Sequence, residues 1–344
     1  MGPNVVLVTG VSHFLGGHLA ARLAANPEID RVLGVDTVPP GRDLLRRMGR
    51  TEFVRADIRN PLIAKVITGA KVDTVVHASL NTHAGPGGRM TSKEMNVIGT
   101  MQLLAACQKS PALTKMVIKS SSVVYGSSPR DPAVFTEDMG PKDLPSSGYA
   151  KDAVDIEGYV RGFGRRRPDV DVTTLRFTNL IGPRIDEVLT RYFTLPVVPK
   201  VLGYDARLQL LHSEDALAVT EKATLENVPG VYNVGGDGVL MLSQAIRRAG
   251  RLSMAVPSMA LAPVSQFFRS ARLVDFSPEQ LRFLNFGRVV DTTRLRDRFG
   301  FTPRWTTQQA FDDFVRGRDL RPFVDPDQIR AVERGLTDAV AKLS

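Results

Sequence analysis

A glycine-containing turn between a short apolar strand and a helix constrains this chain more than any other feature. The run Val5–Val8 predicts a buried strand, and the apolar spacing of Phe14–Ala25 predicts a helix. Between them Gly10 permits a tight turn, and Gly16 permits close packing of the helix on the strand. Asp36 ends the next predicted strand about 20 residues further on, where a carboxylate can accept hydrogen bonds from ribose hydroxyls. The pattern predicts a dinucleotide site with its pyrophosphate at the helix N-terminus.

The acidic residue and one departure in the turn define the expected cofactor. A carboxylate at Asp36 would repel a ribose 2′-phosphate, so the predicted cofactor is NAD and not NADP. His13 stands where a glycine usually lets the backbone approach the phosphates, and its ring can either donate a hydrogen bond to phosphate or crowd it. We therefore predict a modified NAD site. Its predicted loop contacts are Gly10, Ser12, His13, Phe14, Leu15 and Gly16.

Strands and helices alternate over the first 180 residues, which indicates parallel strands joined by crossover helices. Beyond residue 180 proline becomes frequent and the pattern less regular. The predicted fold is α/β, a Rossmann-type doubly wound parallel sheet with a smaller C-terminal α/β substrate lobe. We assign 1–180 to the NAD-binding domain, with returning segments near 207–235, and 181–344 to the smaller, interleaved lobe. Gln209–Leu217 and Gly230–Val234 are expected to return to the main sheet.

Composition narrows the classes of partner and compartment. The formal net charge is +9, but the arginines are dispersed, so we expect no specific nucleic-acid binding. Cys107 is the only cysteine, and no His, Asp or Glu cluster has metal-ligand spacing, so no metal site is predicted. The N-terminal apolar run is short and resembles a first strand more than a signal peptide, which favours a cytoplasmic protein.

Motifs along most of the chain resemble those of the extended short-chain dehydrogenase/reductase family, which includes UDP-galactose 4-epimerase and sugar-nucleotide dehydratases. The resemblance implies NAD contacts from Asp57 and Ile58, from Ala78 and Ser79 after the fourth strand, and support from Asn96. It implies a catalytic hydroxyl at Ser121, aligned on Tyr125-Gly126. The matching segments are Asp57-Ile58, Asp73–Ser79, Asn96–Thr100, Ser120–Gly126, Arg176–Pro183, His212–Asp215 and Tyr232–Gly236.

The family's Tyr-x-x-x-Lys pair is incomplete here. Tyr149 occupies the tyrosine position, but Ala153 stands where the lysine is expected. Lys151 lies about 200° round the helix from Tyr149 and should point away. Without a neighbouring cation a phenol keeps a pKa near 10 and is a poor base at neutral pH.

Three interpretations of Ala153 remain open from the sequence. Another cation, such as Lys119 or an arginine of the second lobe, replaces the lysine. Alternatively, the enzyme is slow or uses Tyr149 only as a proton donor. In the third interpretation the chain is a catalytically degenerate dinucleotide-binding or scaffold protein. The predicted function is an NAD-dependent epimerase- or dehydratase-type oxidoreductase with an altered active site, and the degenerate protein is the alternative.

Substrate and partners are indicated more weakly. The resemblance implies substrate contacts from Ser122 and Asn179. Arg207 is offset by one residue from the family's diphosphate-binding arginine, because Leu208 holds that position. The small-molecule substrate is therefore either a nucleotide sugar or a lipid-like hydroxyl compound.

Met254–Phe286 is apolar with interleaved arginines, which leaves a helical cap or a peripheral membrane or lipid contact open. The helices Ser92–Gln108 and Tyr149–Arg166 favour a homodimer, by the same resemblance.

Overall fold

A seven-stranded parallel sheet forms the centre of the structure, a computed structural model that describes residues 2–79, 93–142, 145, 148–257 and 278–320. All of its neighbouring strands run parallel. The spatial order of the strands is β11 (Gly230–Val234), β6 (Asp171–Phe177), β5 (Lys115–Ser121), β4 (Thr74–His77), β1 (Val5–Thr9), β2 (Arg31–Asp36) and β3 (Glu52–Arg55). The order in which the chain adds strands changes direction between β1 and β4: β2 and β3 lie on one side of this boundary, and β4, β5 and β6 lie on the other. A crevice for a ligand therefore opens at the carboxyl ends of these two strands.

Helices cover both faces of the sheet, which confirms the predicted doubly wound fold. One apolar cluster joins the sheet to α1 (Phe14–Ala25) and α7 (Ser213–Leu225) through residues such as Leu19 and Leu217. A second cluster joins the other face to α3 (Ile63–Gly69), α4 (Gly99–Gln108) and α5 (Gly148–Arg166) through Leu104 and Ile156. The helices around the sheet also include α2 (Arg42–Arg47).

The smaller lobe has its own apolar core, in which Phe193, Phe311 and Phe314 are fully buried. Its small sheets pair β7 (Asn179–Ile181) with β10 (Leu210–His212), β8 (Val197–Val201) with β13 (Leu252–Val256), and β9 (Arg207–Leu208) with both β12 (Leu240–Met241) and β14 (Gly287–Arg288). Its helices are α6 (Val188–Thr194), α8 (Leu242–Arg248), α9 (Pro278–Phe286), α10 (Thr293–Asp297) and α11 (Thr307–Gly317).

The structure corrects two predictions of local structure. Gly230–Val234 returns to the main sheet as expected, but the same prediction for Gln209–Leu217 is wrong. Leu210–His212 pairs instead with Asn179–Ile181, which has already left the main sheet, and the chain then enters α7. The predicted helix Ser92–Gln108 is interrupted, since Glu94–Ile98 forms a π-helical turn before α4. Ser92 itself lies outside the described residues.

Candidate active site at the carboxyl edge of the sheet

The turn after β1 requires glycine at two positions. Gly10 has a φ of +74°, which L side chains rarely adopt. A Cβ at Gly10 would also lie 2.8 Å from the Cα of Ser79, and one at Gly16 would collide with the Gly10 carbonyl oxygen. The turn therefore brings α1 against β1 and β4 as closely as the sequence predicts.

Asp36 is tied directly to this turn. Its Oδ2 accepts hydrogen bonds from the backbone N–H of Ser12 at 3.0 Å and from the Ser12 hydroxyl at 2.6 Å. Its Oδ1 accepts from the backbone N–H of Thr37 at 2.7 Å. A carboxylate has about four acceptor positions, so these three contacts leave capacity for a ribose hydroxyl. Asp36 thus holds the loop and also lies where the predicted adenosine ribose would be.

The N-terminus of α1 is suited to an anion. His13 is its N-cap residue, with extended backbone and an exposed side chain that makes no capping hydrogen bond. The first turn, which includes Phe14 and Leu15, carries no acidic residue. Its N–H groups and positive dipole end can therefore face a pyrophosphate. The exposed His13 ring is accessible to a ligand at this turn, and whether it donates to a phosphate or crowds it stays a prediction.

Ala78 and Ser79 lie beside the glycine turn, as the resemblance implies. The hydroxyl of Thr9 accepts a hydrogen bond from the Ala78 backbone N–H at 3.2 Å and donates one to the Ser79 hydroxyl at 3.2 Å. The Thr9 hydroxyl also lies 2.9 Å from His77 Nδ1, and His77 Nε2 lies 2.9 Å from the Thr100 hydroxyl. Burial and the charge of Lys119 lower the pKa of His77 to about 4. A neutral His77 therefore links β1, β4 and α4 behind the crevice.

The other predicted cofactor contacts lie at the neighbouring strand end. Arg59 binds the carboxylate of Asp57 with an Nη2–Oδ2 distance of 2.6 Å and lowers its pKa. Ile58 is buried, and a Cβ added at Gly99 would lie 2.9 Å from its Cδ1. Asn96 is fully buried in the π-helical turn. Contact of Asp57, Ile58 and Asn96 with NAD stays a prediction.

A second cleft brings the predicted catalytic groups together. It is lined by Ser121 at the end of β5, Tyr149 at the start of α5 and Asn179 in β7. The Tyr149 hydroxyl is buried and has no hydrogen bond of normal geometry in the described part of the chain. Burial raises its pKa, Glu187 and Asp152 raise it further, and the Ser121 hydroxyl acts in the opposite direction. Tyr149 is therefore a neutral phenol over the whole physiological range.

No cation acts on the pKa of Tyr149 among the described residues. Ala153 is buried in an apolar cluster with Val124, Phe135 and Val290. Lys151 forms an ion pair with Asp155 at 3.1 Å, so it points away from Tyr149 as predicted. Lys119 and Arg288 line the same cleft as Tyr149, but the charged residues that shift the pKa of the phenol are all acidic. Replacement of the lysine by another cation therefore stays a prediction.

A buried ionic network holds these groups in place. Arg176 of β6 binds Glu157 of α5 through two contacts, at 2.9 and 2.6 Å. Glu157 also accepts a hydrogen bond from Ser120 at 2.6 Å, and Arg176 donates to the Tyr125 hydroxyl at 2.8 Å. The Tyr125 hydroxyl in turn donates to Asn233 of β11 at 2.7 Å. The network fixes α5 against β5, and with it the positions of Ser121 and Tyr149.

Of the three predicted substrate contacts, Asn179 lines the cleft. Ser122 is buried and is not among the residues that line it. Arg207 is not among them either, and its strand β9 pairs with Met241 and with Gly287, the residue before Arg288. Substrate contacts from Ser122 and Arg207 therefore stay predictions.

Sequence reasoning missed several charged residues of the cleft. Arg288, Glu187 and Glu279 line it, together with Lys119, which the sequence offered only as one replacement for the lysine. Arg288 and Glu279 follow an irregular part of the sequence without a motif, so no local signal marked them. The aromatic and aliphatic lining consists of Val123, Phe177, Leu180, Val188, Leu189, Tyr192, Phe283 and Leu284.

Two further searches cover only the described ranges. No group of three or more His, Cys, Asp or Glu side chains there is placed to hold a metal ion. Among those same residues, none of the helices combines the length and apolar character needed to cross a membrane. Most of the apolar stretch Met254–Phe286, including 258–277, lies outside the described residues, so its predicted lipid contact stays a prediction.

Comparison with known proteins identifies the family. Residues 6–235 match the model of the NAD-dependent epimerase/dehydratase family. The chain belongs to this family. An uncharacterised protein of Mycobacterium tuberculosis is 54% identical over 332 residues, covering 96% of this chain and 88% of that protein. This membership confirms the resemblance stated from the motifs and the NAD dependence expected of the family.

Two more distant similarities agree with the fold. A trifunctional UDP-glucose 4,6-dehydratase, epimerase and reductase of Arabidopsis thaliana is 26% identical over 249 residues, 68% of this chain and 37% of that protein. The crystal structure of a dTDP-glucose 4,6-dehydratase from Streptomyces venezuelae superposes with a TM-score of 0.71 at 22% identity, covering 92% of this chain and 97% of that chain. At this identity the superposition shows the shared fold alone.

Proposed function

We propose that this protein is an NAD-dependent oxidoreductase of the epimerase or dehydratase type that acts on a hydroxyl-bearing carbon of a nucleotide sugar. The observation that carries the proposal is the convergence of Ser121, Tyr149 and Asn179 in one cleft, at the same sheet edge as the glycine turn. The nucleotide-sugar class is supported by the UDP-glucose activity named for the Arabidopsis relative.

The residues of the first crevice fit a dinucleotide. Gly10 and Gly16 leave no room for a side chain, the first turn of α1 is uncapped, and Asp36 lies beside that turn. When bound, NAD would supply reversible acceptance of a hydride. The chain's own contribution is then to position a substrate hydroxyl, with Ser121 and Tyr149 as its hydrogen-bonding partners.

The protonation states define separate roles for two groups of the cleft. Oxidation of a hydroxyl releases a proton, and a neutral Tyr149 cannot accept it, so this phenol serves to donate a proton to a substrate oxygen. Glu187 is a carboxylate that lines the same cleft, and burial raises its pKa while Lys119 lowers it. Opposing influences of this kind suit a carboxylate to general base catalysis. We assign Glu187 this role, with Lys119 holding its charge.

A catalytically degenerate dinucleotide-binding or scaffold protein is the second candidate. The specific observation in its favour is the apolar packing of Ala153, which removes the lysine that the family's chemistry uses. The two candidates share the NAD site and differ only in turnover.

One experiment distinguishes them. Purified protein is extracted and its NAD content measured, and hydride transfer with UDP-glucose is followed by nicotinamide absorbance. We expect bound NAD and slow transfer in the wild type. Tyr149→Phe should lower kcat by roughly 10²- to 10⁴-fold at unchanged NAD content, because it removes the proton donor. Tyr204→Phe, at an exposed tyrosine, is the matched control.

The outcomes separate the parts of the proposal. Absence of NAD from the purified protein and no uptake of added NAD would overturn the cofactor assignment. Bound NAD without transfer would leave the scaffold protein as the correct description. Transfer unaffected by Tyr149→Phe would overturn the role of Tyr149 as the proton donor.

A further inference from the structure

Arg288 is a buried cation in the cleft, and no acidic residue of the described part of the chain forms an ion pair with it. Arg288 is 8% exposed, and it lines the cleft together with Tyr149 and Ser121. Nε donates to the Gly126 carbonyl at 2.7 Å, and Nη2 donates to the Ser127 hydroxyl at 3.0 Å. Nη1 reaches the Ser122 hydroxyl only at 3.4 Å. Among the described residues, no carboxylate lies within ion-pair distance of this guanidinium.

The other buried arginine near the cleft is matched by a carboxylate. Arg176 is bound to Glu157 through two contacts. The carboxylate that acts on the pKa of Lys119 is Glu187. The carboxylates that act on Arg288 are Asp131 and Glu279, and both lie beyond ion-pair distance.

Local contacts hold both carboxylates near Arg288 in place. Oε2 of Glu279 accepts from the backbone N–H of Ala150 at 3.3 Å, at the N-terminus of α5, and Oδ2 of Asp131 accepts from the Ser128 N–H at 2.7 Å. Burial lowers the pKa of Arg288 to about 10, so it is still charged at neutral pH. An uncompensated buried charge is costly, and an anionic ligand would remove that cost.

We propose that Arg288 binds a carboxylate on the reacting sugar of the substrate, so that the preferred substrate is an acidic nucleotide sugar. The inference rests on the proposed function and adds the substrate class. A guanidinium presents two parallel N–H donors that match a carboxylate, and the weakly engaged Nη1 is free to turn from Ser122 to such a ligand.

The position of Arg288 favours an acid on the sugar over the diphosphate. Its Nη1 contacts Ser122, the residue next to Ser121. An anion held there lies beside the hydroxyl that undergoes oxidation. The diphosphate of a nucleotide sugar lies on the other side of the anomeric carbon, away from that hydroxyl. Arg288 would bind either anion, the sugar carboxylate or the diphosphate, by the same chemistry. Binding of UDP, which carries the diphosphate and no sugar, distinguishes the two.

The experiment measures binding to the NAD-loaded protein by calorimetry with three probes: UDP-glucuronic acid, UDP-glucose and UDP. We expect wild type to bind UDP-glucuronic acid at least about tenfold more tightly than UDP-glucose, which is the discrimination that one charged hydrogen bond supplies. Arg288→Gln should reduce this ratio to about one and leave UDP binding unchanged. Arg288→Lys should retain part of the ratio, because it keeps the charge and loses the paired donors.

A second arginine variant tests whether the effect is specific to Arg288. Arg248→Gln removes an exposed arginine that is paired with Asp312, and it should leave all three affinities unchanged. If Arg288→Gln does not fold, the wild-type ratio still decides the question. Equal binding of the acidic and neutral sugars, or an equal loss of all three probes in Arg288→Gln, would overturn the carboxylate assignment. Failure of the proposed function is seen separately, as absence of NAD or of hydride transfer in the wild type.

Discussion

At the scale of single residues, the structure separates binding of a cofactor from catalysis. Ala153 replaces a lysine with a methyl group inside an apolar cluster, whereas Gly10, Gly16 and Asp36 keep their expected geometry. Burial raises the pKa of the Tyr149 phenol, and the acidic residues around it raise that pKa further. We propose that this one substitution changes the protonation chemistry of the cleft, whereas the glycine turn keeps its expected geometry.

His77 gives a prediction at this scale, because it is fully buried and neutral. Its pKa falls from an ordinary 6.5 to about 4, so the unfolded chain binds a proton at a pH where the folded chain does not. The stability that this provides is fully present above pH 6.5 and is lost as the pH falls towards 4, by up to about 3 kcal/mol. Urea unfolding of His77→Gln should show a shallower loss of stability between pH 6.5 and 4 than wild type. His13→Gln, at an exposed histidine, is the control, and equal slopes for all three proteins would contradict the prediction.

At the scale of elements, one turn fixes how three strands and a helix meet. The turn after β1 approaches Ser79 of the β4 end and carries the N-terminus of α1, while Ser12 is bonded to Asp36 at the end of β2. Each contact is short and made largely by backbone atoms. The turn therefore has little freedom to accommodate a side chain, and stability and cofactor binding depend on the same glycines.

Gly10→Ala tests this dependence. A positive φ and a Cβ at 2.8 Å from Ser79 should together cost about 1–3 kcal/mol of unfolding free energy, and the displaced loop should lower NAD content. Gly41→Ala is the matched control, since its Cβ would meet nothing within 4 Å. The measurement is urea unfolding with NAD quantified in the same preparations. A Gly10→Ala protein as stable and as NAD-rich as Gly41→Ala would refute the argument.

At the scale of the whole molecule, α4 and α5 pack side by side and expose large apolar side chains. Ile98 is 48% exposed, Met101 45% and Tyr159 38%, and all three lie on α4, its preceding turn or α5. We propose that this face pairs with a second copy of the chain, because removing exposed apolar side chains from water is favourable.

Charge introduced on this face should block the pairing. Met101→Glu is expected to convert a homodimer to a monomer in sedimentation velocity, since an unpaired carboxylate at an apolar interface is strongly unfavourable. Leu202→Glu changes an exposed apolar residue of the smaller lobe and should leave the dimer intact. A monomeric wild type, or a dimeric Met101→Glu protein, would argue against this interface.

The sequence by itself determined the features that depend on neighbouring residues. The strand, glycine turn, helix and Asp36 follow one another within about 33 residues, and their periodicity and turn chemistry are local properties. The same is true of Ser121 before Tyr125 and of Tyr149 with Ala153, which motif spacing identified and of which Ser121 and Tyr149 line one cleft. The Rossmann-type doubly wound parallel sheet followed from the alternation of these elements.

Only the tertiary structure decided which distant residues meet in the cleft. Arg288 contacts Gly126 and Ser127 from a two-residue strand, and nothing in its local sequence indicates that approach. Gln209–Leu217 resembles a returning strand, but Leu210–His212 pairs with β7. Arg207 carries the expected charge but is not among the residues that line the cleft. Packing between two lobes selects these contacts from many that the sequence allows, because burial and charge pairing depend on what the whole fold brings together.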